Sequence, residues 1–326
     1  MRTESTANRG GSIGAAHAFA LFTVFVWGFT FVSTKVLLED FAPIEVLFGR
    51  FVIGLVALCA LRPRVLRLKR RSHELLFIAA GLTGVTLYYL LENIALTFAH
   101  ASTVGVLVAV SPLSTAAIAF VLGRERMHAR FVVGLLVAIA GVALVCLGGA
   151  GVQALSVGDA LALAAALMWS VYSTLVKRIA DLGYETIAST KRTFVWGLLF
   201  MLPLLAPLGA QPDLSRLVDA ANAGNLLFLG LAASAGCFVT WGMAVSRLGA
   251  AKTSAYIYLV PVITAVASAM ILGESVTLAM AAGIVLTIAG LALSEGRVPL
   301  GRAHAAPPYE EVGTGASEKR DETGRM

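Results

Sequence analysis

Five ionisable side chains stand inside or at the edge of long apolar runs: Glu45, Arg50, Glu92, Lys191 and Arg192. A charge at the centre of a membrane helix costs about 2.5–3.5 kcal/mol on insertion scales, so it is expected to face a partner or a cavity. Counted at 1.5 Å per residue, Arg50 lies about 12 Å and Glu92 about 9 Å from the same edge, so the two are expected to face one another. Glu45, within a turn of a helix end, reads as a solvated acid favoured by the N-terminal dipole. Aromatic side chains accompany the charges: Trp27, Tyr88, Tyr89, Trp169, Tyr172, Trp241, Tyr256 and Tyr258. Tyr88 sits one turn before Glu92 on the same face. A cation, an acid and flat rings suit binding of a polar molecule. Bond-breaking chemistry has no comparable set: His17, His73, His100, His128 and His304 lie at span ends, in loops or in the tail, and no HExxH, GxSxG or GxxxxGK[ST] occurs. No catalytic residue, metal or cofactor is expected.

The elements that carry these residues must be membrane helices. Of the 326 residues, 58% are hydrophobic and 13% charged, whereas soluble domains carry about 25% charged residues. Apolar runs of about 20 residues recur, enough to cross the hydrocarbon layer as helices. They lack period-two alternation, so closed barrels are excluded. Ten spans are expected, at 15–34, 43–61, 75–98, 101–122, 130–149, 157–176, 185–206, 223–245, 252–272 and 277–294. Pro112 and Pro261 should kink the fourth and ninth or loosen their backbone. Alternate loops hold fifteen Lys and Arg on one side against Lys35 and Arg216 on the other, which puts both termini in the cytoplasm. The net charge of +6 is an orientation signal and gives no reason to expect nucleic acid. Cys59, Cys146 and Cys237 read as small buried hydrophobes. Within 211–221, Leu214, Leu217 and Val218 form a short stripe for the membrane surface. The segment 1–14 should be cytoplasmic, and the polar tail 297–326 disordered.

The design is doubled. Between 112–144 and 261–293 there are ten identities in 33 ungapped positions, among them Pro112/Pro261, Glu125/Glu274 and Gly134/Gly283. At an offset of 142, Trp27 meets Trp169, Lys35 meets Lys177 and Arg50 meets Arg192. Two repeats are expected, 15–149 and 157–294. Five spans is an odd number, so the second copy enters from the opposite side, giving inverted repeats with a site near the midplane between them. The image of Glu92 is Trp241. Arg192 should therefore meet an aromatic face, as a cation–π pair with no neutralising anion. Lys191, about 100° around the helix, should snorkel to the inner surface. The candidate binding set is Arg50, Glu92, Arg192, Trp241, Tyr88, Trp27, Trp169 and Tyr172. Spans five and ten should serve as a scaffold or a homodimer face.

These residues resemble the EamA-type domain of the drug/metabolite transporter superfamily. The likeness rests on Trp27-Gly28 with Lys35, the arginines in spans two and seven, the Ala95-Leu96…Ala101-Ser102 hairpin and Pro112…Gly123-x-Glu125. It rests equally on the second set: Trp169, Lys177, Arg192, Ala244…Ala250, Pro261 and Gly273-Glu274. Ser170 replaces Gly28 in the second copy, and Gly123 and Gly273 are out of register by one. The resemblance implies an all-α, ten-helix carrier of small metabolites such as amino acids, commonly an exporter, working by alternating access. The expected place is a bacterial plasma (inner) membrane, with the lipid bilayer and a small-molecule substrate as partners. Glu92 beside Arg50 is a candidate for carrying a coupling proton. The alternatives are a structural or signalling membrane protein and an importer of a related solute.

Overall fold

The computed structural model describes residues 4–111, 114, 129–149, 156–211, 213–248 and 255–294. Among them all regular structure is helical. In chain order the helices are α1 (Glu4–Leu37), α2 (Pro43–Leu61), α3 (Glu74–Ala80), α4 (Tyr88–Phe98), α5 (Ala101–Val108), α6 (Ala129–Gly149), α7 (Val157–Asp181), α8 (Thr186–Leu205), α9 (Ala220–Leu227), α10 (Cys237–Leu248), α11 (Val260–Ile271) and α12 (Leu278–Ser294). A π-helical stretch, Gly81–Leu87, joins α3 to α4, and a second, Phe228–Gly236, joins α9 to α10. Among the described residues, five stretches are long and apolar enough to cross a membrane: Ile13–Leu37, Pro43–Leu61, Arg71–Phe98, Val157–Asp181 and Ala220–Ala244.

Local chemistry sets the helix ends. Pro43 opens α2, where its missing N–H is no loss, and Glu45 accepts from the Ala42 N–H at 2.7 Å. Ser156 and Asp159 cap α7 reciprocally, and Asp219 caps α9. Gly183 and Gly273 follow the ends of α7 and α11 with φ of 73° and 66°, left-handed values that a side chain would strain. Pro261 does not kink a continuous span. It stands in the first turn of α11, after a 3-10 turn over Ala255–Leu259, so the ninth span is divided there. Pro112 lies outside the described residues.

Packing interlocks the two halves. The principal neighbours are α1 with α10 and α11, α7 with α4 and α5, α2 with the second π stretch, α8 with the first, and α6 with α12. Each of these contacts crosses from the first half to the second, and each has its counterpart under exchange of the halves. Glycines permit the closest approaches. A Cβ on Gly81 would stand 2.8 Å from the Gly197 nitrogen, and one on Gly230 would stand 3.2 Å from the Arg50 carbonyl oxygen. In the pair α6–α12, a Cβ on Gly283 would meet the Gly141 oxygen at 2.7 Å, and one on Gly290 the Ala138 nitrogen at 2.4 Å.

Polarity is arranged for lipid. Buried positions include Thr23, Ser33, Arg50, Glu92, Asn93, Ser170, Lys191 and Ser234, while Phe22, Phe25, Leu136, Leu199 and Val285 are exposed. Cys59 is exposed as well, against expectation, and Cys237 is buried with its thiol toward the Thr23 carbonyl. Cys146 has no described side chain. Leu214 and Val218 are exposed on a 3-10 turn. That turn is held to α2 by Arg216, which pairs with Glu45 at 2.7 Å, so Glu45 is an anchored carboxylate.

The α6–α12 approach leaves no room for a methyl group. Gly283→Ala is expected to destabilise the protein by about 1–3 kcal/mol, read as a lower melting temperature in detergent. Gly224→Ala, in open space, serves as the control and should leave it unchanged.

Candidate functional site

At the centre of the bundle lies a run of touching rings drawn from both halves. Trp241 lies 5.0 Å from Trp27, Trp27 6.1 Å from Trp169, and Trp169 4.8 Å from Tyr88 and 5.2 Å from Tyr172. Tyr88 continues to Tyr89 at 4.5 Å, Tyr89 to Phe51 at 5.0 Å, and Phe51 to Phe194 at 4.8 Å. Helices α1, α2, α4, α7, α8 and α10 each contribute. The sequence singled out Trp27, Trp169, Trp241, Tyr88 and Tyr172, and the fold brings these five together.

Arg50 and Glu92 enter the same cluster, both essentially without solvent contact. No ion pair joins them, although each lies within range of the other's charge. The Arg50 Nε donates to Ser234 Oγ at 3.2 Å, and its guanidinium lies 4.4 Å from the centre of the Tyr89 ring. Glu92 stands beside the Tyr88 hydroxyl and within range of the Arg50 charge. Both tyrosine stripes of α4 therefore face the centre, Tyr88 toward the acid and Tyr89 toward the cation. Three polar atoms here are buried without a partner: Arg50 Nη1, Glu92 Oε2 and Trp27 Nε1. Each such orphan costs about 1–3 kcal/mol, more when charged. Three in one ring-lined cluster are expected where a ligand completes them.

Arg192 is not in that cluster. Its guanidinium forms a bidentate pair with Glu74, donates to the Leu66 carbonyl at 3.3 Å and lies beside Phe77. Trp196 Nε1 donates to the same Glu74 at 2.6 Å. The expected contact with Trp241 is replaced by a neutralising acid, and the repeat offset explains it. The image of Ser234 is Val85, which offers Arg192 no hydroxyl, whereas Glu74 opens α3 at the end where Arg192 emerges. The image of Glu74 is Ala223, so Arg50 has no such acid. Ser234 and Glu74 were the residues missed, and comparing the two copies position by position would have found them; Tyr89 was among the aromatic candidates but outside the binding set. Lys191 is buried and donates to the carbonyls of Arg62 and Arg64.

Two groups of polar ties join the halves away from the cluster. At one end Lys191, Arg192 and Tyr184 bind the segment between α2 and α3. At the other, Gly273 turns Glu274 onto the first residues of α5, where it accepts from Ala101 N at 2.9 Å, Ser102 Oγ at 3.1 Å and Lys35 Nζ at 3.1 Å, with His100 at 3.4 Å. The duplicated partners, Glu125 and Lys177, lie outside the described residues and side chains. A groove of about 330 Å³ lies elsewhere, on the lipid side of α1, where Phe25, Phe29, Val36 and Phe228 line it.

With this geometry in place, the comparisons decide the family. The EamA-like transporter family matches residues 14–147 and again 156–295. The chain belongs to that family. Among similar proteins is one described as a probable terminal-alkyne amino-acid exporter of Streptantibioticus cattleyicolor, 32% identical, the match covering 88% of this chain and 95% of the relative. A probable amino-acid metabolite efflux pump of Salmonella typhimurium is 27% identical, over 83% of this chain and 92% of its own length. A solved crystal structure shares the fold with a TM-score of 0.62 and 21% identity, covering 86% of this chain and 96% of the other. EamA family membership and the apolar helices identify an integral membrane protein.

Burial acts to raise the pKa of Glu274, but His100, the Ala101 N–H and Lys35 outweigh it and hold the carboxyl well below the usual range. A depressed folded pKa adds stability above the unfolded value of about 4.3, lost as pH falls through the folded value. Glu274→Gln should cost about 1.5–3 kcal/mol at neutral pH. In melting curves across pH, the gap from the native protein should persist to about pH 5 and close only in stronger acid.

Proposed function

We propose that this member of the EamA family is a secondary carrier of small organic solutes, with zwitterionic amino acids the best chemical match. The observation that carries the reading is the central trio of unsatisfied atoms. Arg50 Nη1 and Trp27 Nε1 are donors suited to a carboxylate, and Glu92 Oε2 is an acceptor suited to an ammonium group. The surrounding rings suit an apolar side chain and add cation–π attraction for the ammonium group. Arg192 is left out of the set, because Glu74 already neutralises it.

Transport by alternating access in a frame of ten spans and two inverted repeats fits several features. The π stretches begin or pass at Gly81 and Gly230, 149 positions apart, and the crossing contacts are matched under exchange of halves. Lys35, His100 and Glu274 meet at one end, and Lys69, Tyr184 and Arg192 gather at the other, as opposite threading requires. In alternating access these ties are the contacts that would break and re-form as each end opens in turn. The Lys/Arg asymmetry puts both termini in the cytoplasm, and export agrees with the relatives' names.

Counterflow of labelled amino acids in vesicles tests the reading. Arg50→Lys and Glu92→Gln should each weaken apparent affinity roughly tenfold to a hundredfold. Arg192→Gln should lower thermal stability and leave affinity within about twofold. Amino-acid flux unaffected by both central substitutions would exclude this site. If Glu92 also carries a coupling proton, Glu92→Gln flattens the pH profile of transport; an unchanged profile removes that role.

A further inference from the structure

The segment from Arg62 to His73, between α2 and α3, holds six cations and no acid: Arg62, Arg64, Arg67, Lys69, Arg70 and Arg71. It has no regular structure from 62 to 70. Its backbone is nevertheless well tied. Lys191 takes the carbonyls of Arg62 and Arg64, Arg192 takes that of Leu66, and the Lys69 N–H donates to Tyr184. Leu66 and Leu68 pack inward against the Phe77 and Tyr184 cluster. The backbone and the leucines thus face the protein, which turns the arginines outward.

Two of the six cations are used internally. Arg62 pairs with Glu185 at 3.2 Å, and Lys69 donates to the carbonyls of Leu182 and Gly183. Arg64, Arg67, Arg70 and Arg71 are exposed, and no partner for their side chains is found among the described residues. Val65 beside them is 83% exposed. Nearby acids do not balance them: Glu74 and Glu185 are engaged, and Asp181 alone stands exposed on the facing helix end. The segment links two stretches long enough to cross the membrane, Pro43–Leu61 and Arg71–Phe98, so it lies at headgroup depth.

We propose that residues 62–73 form a docking surface for anionic phospholipid headgroups, with Arg64, Arg67, Arg70 and Arg71 as its contacts and Val65 inserted among the acyl carbons. Guanidinium forks match phosphate oxygens in pairs, and basic clusters beside a membrane span attract anionic lipid. A free acidic protein or nucleic acid would have to reach a surface already facing the bilayer. The orphaned charges also follow from this surface without any reference to solute transport.

Native mass spectrometry of the full chain in detergent, titrated with phosphatidylglycerol or phosphatidylcholine, provides the test. The native protein should bind the anionic lipid roughly tenfold more tightly, and the preference should shrink at about 0.5 M salt. Replacing Arg64, Arg67, Arg70 and Arg71 by Gln should abolish the preference, replacing them by Lys should keep most of it, and neither should change amino-acid affinity at the centre. Equal binding of both lipids by the native chain would overturn the proposal whatever the variants do. So would a preference that survives the Gln substitutions, displacement of the lipid by millimolar inorganic phosphate, or equally tight binding of RNA.

Discussion

The guanidinium of Arg50 is buried without solvent contact, so the bundle must solvate it with its own atoms. It does so sparingly: one hydroxyl from Ser234 and the face of Tyr89. Those contacts need α2 to approach the second π stretch at backbone distance, which Gly54 and Gly230 allow. The π stretches pack against the helices that carry the two arginines, Gly81–Leu87 against α8 and Phe228–Gly236 against α2. π-bulges are frequent at functional sites, since they redirect side chains without ending the helix. The closeness of the crossings and the open polar valence at the centre thus have a common origin.

Duplication explains the shape, and divergence explains the chemistry. Both halves carry an arginine at the corresponding place, but only one is left with an unpaired donor. Arg192 was neutralised by an acid at the head of α3, and it now helps Lys191 and Tyr184 hold the segment between α2 and α3. Arg50 kept a neutral hydroxyl and a ring, which hold the cation without cancelling it. One neutralised and one open cation make the proposed binding site a property of the Arg50 cluster and not of its counterpart at Arg192. An ion pair at each level would have left packing alone.

Much of the frame was legible in the residues. Apolar run length marked the helices, and the repeat offset paired Trp27 with Trp169, whose rings touch, but it also paired Arg50 with Arg192, whose surroundings differ. The ring cluster was legible because Trp and Tyr are too large and polar to be scattered through a bundle without purpose. What escaped was tertiary. Arg50 and Glu92 share a depth, but depth does not say whether Tyr89 or Ser234 arrives first. The π stretches left no mark in composition, since Gly-Leu-Thr-Gly-Val-Thr-Leu reads as ordinary helix. Glu74 stands one residue outside the expected span 75–98, and a carboxylate at a helix end is within reach of a long arginine from the neighbouring helix.

The central claim is that the buried cation and acid keep valences open for one solute between the interlocked halves. A cryo-electron microscopy map of the protein in lipid, with and without a saturating amino acid, tests it most directly. Added density bridging Arg50 Nη1 and Glu92 Oε2 against the rings of Trp27 and Trp169 is the predicted result. Density confined to the lipid-side groove of α1, or Arg50 and Glu92 closing on each other with no room between them, would contradict it.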